Sequence, residues 1–251
     1  MRKMKLMTHV VIGYPTLNDT IKLVKTMAET GVDFVELQIP FSDPLADGPT
    51  IMRACEKSLE NGTKVANAFI VMKKLSAQVA IPLLFMAYYN TVFKYGVERF
   101  CKDAKEAGAS GLIVPDMAID EESEEYFLAN CKKYNLHNIQ VISPASTYER
   151  LKKNAEVANG FVYCTARQGI TGAKDQLHPD LISYLKKVRK IFSVPIAVGF
   201  GISKKEHIQA LKSHADIGVI GSAIIDVINN SKKEQIEKNV VSFLNDLCLN
   251  Y

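Results

Sequence analysis

Short, β-rich apolar runs alternate with longer amphipathic runs along the whole chain, and few folds accept that pattern repeated eight times. The strand candidates are Thr8–Gly13, Phe34–Ile39, Pro82–Ala87, Gly111–Pro115, Asn138–Ile142, Gly160–Tyr163, Pro195–Gly199 and Ile217–Ile220. Helical periodicity fills the gaps. Asn18–Thr30 carries Ile21, Val24 and Met27 on one face, and Gly31 is placed to end it. Val65–Gln78, Val97–Ala107, Glu121–Tyr134, Tyr148–Ala158, Pro179–Lys190, Lys204–Lys212 and Lys233–Leu247 have the same character, with Ser203 and Glu206 spaced as a capping box for the seventh helix. Eight strand–helix units without a linker imply a parallel sheet. At 251 residues the chain has the length of a (β/α)8 barrel, which needs about 250. The expected fold is therefore α/β: a TIM barrel forming one domain over residues 1–251. Its first strand starts so early that little or no helix precedes it. An open doubly wound sheet is the alternative. It is weakened because no G-x-G-x-x-G follows the first strand.

Composition narrows the function classes. Apolar residues make up 47% and charged residues 23%, which suits a well-cored globular domain rather than a disordered chain. The net charge of +4 is spread out, and basic pairs such as Lys73-Lys74, Lys132-Lys133 and Lys232-Lys233 read as solvated helix faces, not a nucleic-acid surface. The five cysteines are scattered and include no C-x-x-C pair, which argues against a disulfide framework or a zinc site and fits the reducing cytoplasm. Met1–Met7 is basic but lacks a long apolar run, so no signal peptide is expected. No stretch approaches the ~20 apolar residues that span a bilayer.

In a barrel of this kind chemistry sits in the loops after the strand C-termini. The run Glu36-Leu37-Gln38-Ile39-Pro40-Phe41-Ser42-Asp43-Pro44-Leu45-Ala46-Asp47-Gly48-Pro49 is the most informative of them. A carboxylate inside an apolar strand, as Glu36 is, costs free energy unless it has a partner or a task. The loop returns a second carboxylate, Asp47, over the barrel mouth, and two carboxylates in different surroundings can take different roles. From spacing alone, Glu36 could equally pair with a buried Lys or Arg while Asp43 and Asp47 shape turns. Asp43, directly before a proline, has the more structural placement.

Three glycine-bearing loops follow the last three strands: Gln168-Gly169-Ile170-Thr171-Gly172-Ala173, Gly199-Phe200-Gly201-Ile202-Ser203 and Gly221-Ser222-Ala223, the last opening a short helical run, Ala223–Ile228. Glycines let backbone N–H groups approach an anion, and a helix N-terminus adds a favourable dipole. Each loop alone reads equally as an ordinary β-to-α turn; three in order at one end suggest a phosphate site. Tyr88 and Tyr163 end the third and sixth strands, where packing is the commoner role of an aromatic ring.

The acidic loop is similar to the signature of the tryptophan synthase α family, and Gly-Ile-Thr-Gly-Ala, Gly-Phe-Gly-Ile-Ser and Gly-Ser-Ala-Ile resemble that family's phosphate-binding loops. The resemblance runs from Thr8 to about Leu247. It implies that Glu36 and Asp47 match the two catalytic carboxylates. It further implies that Gly172, Phe200, Gly201, Gly221 and Ser222 line the phosphate end, and that Tyr88 and Tyr163 flank an indole. Thr171, with Arg167 nearby, matches a loop that orders over the site. The implied reaction is retro-aldol cleavage of indole-3-glycerol phosphate to indole and glyceraldehyde 3-phosphate, a carbon–carbon lyase step in tryptophan biosynthesis. The indole would pass to a β subunit in an α2β2 heterotetramer. Pyridoxal phosphate belongs to that partner; this chain needs no cofactor and no metal. Other readings are a different phosphate-substrate barrel, such as indole-3-glycerol phosphate synthase or a sugar-phosphate epimerase, and a weakly active or non-catalytic regulatory α-type subunit.

Two residues depart from the family pattern. His9 stands where an aromatic such as Phe is usual, and Gln38 stands where glycine is usual. Strand parity turns Gln38 to the same side as Glu36. A hydrogen bond from it to ionised Glu36 would favour the charged form and weaken the acid, so Gln38→Gly is expected to speed the isolated subunit.

Overall fold

The computed structural model describes residues 4–165, 179–199 and 201–248. Eight strands run β1 (Lys5–Val11), β2 (Phe34–Gln38), β3 (Leu83–Met86), β4 (Gly111–Ile113), β5 (His137–Ile142), β6 (Val162–Thr165), β7 (Ile196–Gly199) and β8 (Ile217–Ile220). Each pairs in parallel with its sequence neighbours, and β8 pairs with β1, so the sheet closes in the order β1 to β8. The open-sheet alternative is thereby excluded. Outside it lie α1 (Leu17–Glu29), α2 (Pro49–Glu60), α3 (Val65–Ser76), α4 (Tyr89–Tyr95), α5 (Val97–Glu106), α6 (Glu122–Glu125), α7 (Phe127–Lys133), α8 (Tyr148–Val157), α9 (Pro179–Ile191), α10 (Lys205–Leu211), α11 (Ser222–Asn229) and α12 (Ile236–Cys248).

The two apolar clusters follow from strand parity. Alternate positions such as Met7, Leu84, Met86, Ile113, Phe161 and Val219 fill the barrel interior. The intervening ones, including Leu6, Val10, Val35, Leu37 and Phe85, meet the helices. A layered interior of this kind is a packed core rather than a pore. At the N-terminal end of the strands the packing opens into a cavity of about 360 Å³, lined largely by apolar side chains such as Phe34, Leu84, Phe161 and Ile217. The carboxylates singled out above lie at the other end.

Several boundaries differ from the sequence reading, each for a local reason. Helix α2 was hidden behind the proline-rich loop, yet Gly48 is its N-cap and Pro49 its first residue, a favoured place for proline. The helix expected over Glu121–Tyr134 is broken at Tyr126, which takes a left-handed φ of 55°. Glu122 causes this by folding its carboxylate back onto the N–H groups of Leu128 (2.7 Å) and Ala129 (2.8 Å), capping α7 as a separate helix. The Ser203–Glu206 capping box does not form. Lys204 is the N-cap of α10 without a side-chain cap, and the Ser203 N–H instead donates to His207 Nδ1 at 3.3 Å. Gly31, with φ +91°, does follow the end of α1.

The turn after β1 is fastened from two sides. Gly13 N–H donates to Thr20 Oγ1 on α1 (2.9 Å), and Ser58 Oγ on α2 donates to the Ile12 carbonyl (2.6 Å). Gly13 has φ +84°, and a Cβ there would lie 2.1 Å from Thr63 Oγ1. This turn therefore fixes α1 and α2 against the strand that carries His9.

Candidate active site

Parallel register sets the first two site positions. Residues 7, 9 and 11 of β1 lie opposite 34, 36 and 38 of β2, so His9 and Glu36 are direct neighbours across the ladder. Both face the barrel interior and are buried, 3% and 2% exposed. Their side chains meet, with His9 Nδ1 2.8 Å from Glu36 Oε1. Tyr163 of β6 reaches the same carboxylate oxygen from across the barrel, its hydroxyl donating at 3.5 Å. The Tyr163 ring fits because β7 presents Gly199: a Cβ there would stand 2.5 Å from the tyrosine oxygen.

Asp47 is held quite differently. The β2–α2 loop turns back through an Asp47 N–H to Pro44 carbonyl bond of 3.0 Å. This brings Asp47 Oδ2 to the Gln38 amide (Nε2 donating, 2.6 Å) and the Tyr88 hydroxyl (3.0 Å). Tyr88 also accepts the Ala46 N–H at 2.9 Å and stacks on Phe41, ring centres 5.3 Å apart. Among the described residues, the Asp43 carboxylate takes only the hydroxyl of its exposed neighbour Ser42. Gln38 therefore does not bond Glu36, contrary to the sequence expectation. One pleat further along the strand, it lies under the returning loop and serves Asp47, while His9 occupies the place beside Glu36.

The electrostatics follow from these contacts. Burial pushes the Tyr163 phenol well above its ordinary pKa, and the Glu36 and Asp47 carboxylates push it further. Tyr88 is raised by burial and then by Asp47. Both tyrosines thus remain neutral donors at physiological pH. For His9, burial disfavours the imidazolium, but the Glu36 hydrogen bond and charge, then Asp47 and Gln38, outweigh it and the pKa rises.

The glycine-bearing end is partly described. Gly221 is the N-cap of α11 and Ser222 its first residue. The first N–H groups of a helix have no internal partner and project from its end. Gly201 has φ +73°, and a Cβ there would meet no atom of the described residues within 4 Å, so they leave its backbone open to approach. Gly221 lies beside β1, 3.8 Å from His9 Cβ measured from where its own Cβ would be, which places the helix end next to the His9–Glu36 pair. Thr171, Gly172 and Phe200, like Arg167, lie outside the described residues.

The structure thus brings Glu36, Asp47, Tyr88, Tyr163, Gly221 and Ser222 to the C-terminal end of the strands. It adds as a contact of Glu36 the residue His9, which in the sequence stands out only as a departure from the family pattern. The missing signal was register: once β1 and β2 are neighbours, residues 9 and 36 must be compared as a pair.

Comparison with known proteins agrees with this geometry. The family model described as "Tryptophan synthase alpha chain" matches residues 1–247. The tryptophan synthase alpha chain of Desulfotalea psychrophila is 46% identical over 237 residues, 94% of this chain and 92% of the relative; that of Syntrophotalea carbinolica is 42% identical over 232 residues, 92% and 91% of the two. Among solved structures, a mutant tryptophan synthase alpha-subunit from the hyperthermophile Pyrococcus furiosus superposes with TM-score 0.90 at 30% identity, covering 98% of this chain and 99% of the other. With the match extending over every strand of the barrel and both carboxylate positions, the chain belongs to the tryptophan synthase alpha chain family.

Proposed function

We propose that this chain cleaves indole-3-glycerol phosphate by a retro-aldol reaction, with the barrel working as one catalytic domain. Membership of the family makes it a lyase-type enzyme of tryptophan biosynthesis. The observation that carries the specific reaction is the pair of carboxylates held in unlike surroundings at one barrel mouth: Glu36 buried against His9 and Tyr163, Asp47 carried on a loop by Gln38 and Tyr88. Breaking the bond between indole C3 and the glycerol chain requires C3 to accept electrons. Glu36 donates a proton to C3, giving an indolenine, and then takes the proton of the adjacent chain hydroxyl as the bond breaks. Asp47 accepts the indole N–H and balances positive charge at that nitrogen. Tyr88 and Tyr163 flank the ring. Gly201, Gly221 and Ser222, with Thr171, Gly172 and Phe200, receive the phosphate and hold the substrate by its far end, so that binding orients the reacting bond. Each proton transfer contributes roughly 10²–10⁴ in rate.

The partner in this reading is a tryptophan synthase β subunit carrying pyridoxal phosphate, in an α2β2 assembly, with the alpha reaction cofactor-free. Leu45, 94% exposed at the tip of the loop that carries Asp47, supports a partner contact there. A cytoplasmic location is in keeping with four buried cysteines, Cys55, Cys101, Cys131 and Cys164, all free thiols. No helix among the described residues is long and apolar enough to cross a membrane.

Indole release from indole-3-glycerol phosphate, measured for the chain alone and with a β subunit, tests the proposal. Turnover in either state, accelerated by the partner, is expected. Ligand binding without turnover in both states would instead establish the regulatory-subunit reading.

A further inference from the structure

Among the described residues, three buried side-chain polar atoms at the barrel mouth have no hydrogen-bond partner within bonding geometry: His9 Nε2, Glu36 Oε2 and Gln38 Oε1. An isolated buried polar atom costs of order 1–3 kcal/mol, so three at neighbouring inward positions call for a ligand's polar groups. Two of these side chains have a place in the chemistry above, Glu36 directly and Gln38 through Asp47. His9 has none yet, although it makes the shortest contact to Glu36. The Glu36 carboxylate is divided by its neighbours: Oε1 is engaged by His9 Nδ1 at 2.8 Å and by the Tyr163 hydroxyl at 3.5 Å, while Oε2 is buried with no partner among the described residues.

We propose that His9 is a positioning residue for proton transfer in the cleavage reaction: it binds Glu36 Oε1, turns Oε2 towards the substrate, and stabilises the carboxylate while its proton resides on the indole. The inference rests on the reading of Glu36 as the acid. The protons balance without a further reactant. The Oε2–H proton moves to C3 and its bonding pair stays on the carboxylate, whose charge is met by the His9 Nδ1–H at Oε1. As the carbon–carbon bond breaks, the chain hydroxyl returns a proton to Oε2. His9 keeps its own protons throughout. A phenyl ring at position 9 could pack in this space but could neither hold Oε1 nor offset the charge.

The titratable groups facing His9 are Glu36 on β2, Asp47 on the following loop and, beyond the carboxylate, Tyr163 on β6; β8 contributes the end at Gly221. The acidic partners hold a proton on the imidazole to higher pH than an isolated histidine would keep it. The His9–Glu36 pair shares this one extra proton: it sits on the ring while Glu36 is ionised and on Oε2 when Glu36 acts as the acid and neutral His9 donates from Nδ1–H, and it is lost as pH rises. Turnover should fall on that alkaline side.

Two histidine variants and one spectroscopic titration test this. His9→Phe and His9→Gln, assayed with the β subunit across mildly acidic to mildly alkaline pH, should lose roughly tenfold or more in kcat. KM should stay within about threefold if ground-state binding is unchanged, and the alkaline limb should shift. His9→Gln, which can still donate to Oε1, should recover part of kcat but not the limb. Imidazole ¹⁵N NMR, with His9 identified by its absence in His9→Phe, should show a midpoint that drops in Glu36→Gln, where burial is no longer opposed by a carboxylate. Superposable pH profiles, or an equal His9 midpoint in wild type and Glu36→Gln, overturn the proposal. If Glu36→Gln is inactive and the histidine profiles superpose, the positioning role alone fails. If Glu36→Gln turns over normally, the role falls with its premise.

Discussion

Gly199 should be among the least replaceable residues of the barrel mouth, and the reason can be worked from distances. An alanine Cβ at 199 would lie 2.5 Å from the Tyr163 oxygen, 2.7 Å from Cε1 and 2.9 Å from Cζ. Restoring a 3.4 Å contact from 2.5 Å moves the ring by about 0.9 Å. Tyr163 is only partly buried, so its ring can yield towards the mouth. The stability cost should then be near the low end of the 1–3 kcal/mol seen for overpacking, a fall in melting temperature of about 2–4 °C for a chain of this size. The effect on function should be much larger. The displaced hydroxyl leaves Glu36 Oε1 and the ring enters the space proposed for the indole, where a 1 Å error can cost about 10² in rate. Calorimetric melting together with indole-release kinetics for Gly199→Ala measures both. An unchanged kcat/KM with an unchanged melting temperature would refute the placement of Tyr163; a large loss of stability with normal turnover would refute its role beside the substrate.

Further outcomes follow from the same contacts. Gln38→Gly should slow the isolated chain about tenfold, because Asp47 loses a charge-assisted hydrogen bond; a faster variant in the release assay would restore the earlier idea that Gln38 restrains Glu36. Gly13→Ala forces a left-handed φ on alanine and a clash with Thr63, and should destabilise by about 3 kcal/mol or more in denaturant titration. Leu45→Ala should leave stability within about 0.5 kcal/mol yet weaken β-subunit binding by calorimetry, on the order of tenfold or 1.4 kcal/mol.

The alternation of short β-rich and longer amphipathic runs was enough to place all eight strands, because parallel barrel strands are apolar on both faces and stand out between helices. Their ends differ by none to three residues, most at β1, since hydrogen bonding rather than hydropathy decides where a strand begins. What stayed hidden depended on side chains acting at a distance. Glu122 splits one helix in two by capping the second half, a contact that periodicity cannot reveal. The positions of Glu36 and Asp47 were legible from the loop motif, but the partners of His9 and Gln38 were not. A slip of one pleat exchanges which carboxylate each can reach, and only the register of β1 on β2 together with the return of the loop settles it.

The claim that Glu36 supplies the proton for carbon–carbon cleavage is tested most directly by Glu36→Gln, the smallest change that removes the acid while keeping shape. Indole and glyceraldehyde 3-phosphate should be quantified after incubation of wild type and variant with indole-3-glycerol phosphate and the β subunit, alongside calorimetric titration with glycerol phosphate. Wild type should release the two products in equal amounts. The variant should bind glycerol phosphate as wild type does and release at least about 10²-fold less indole. Near-normal release by the variant would contradict the assignment.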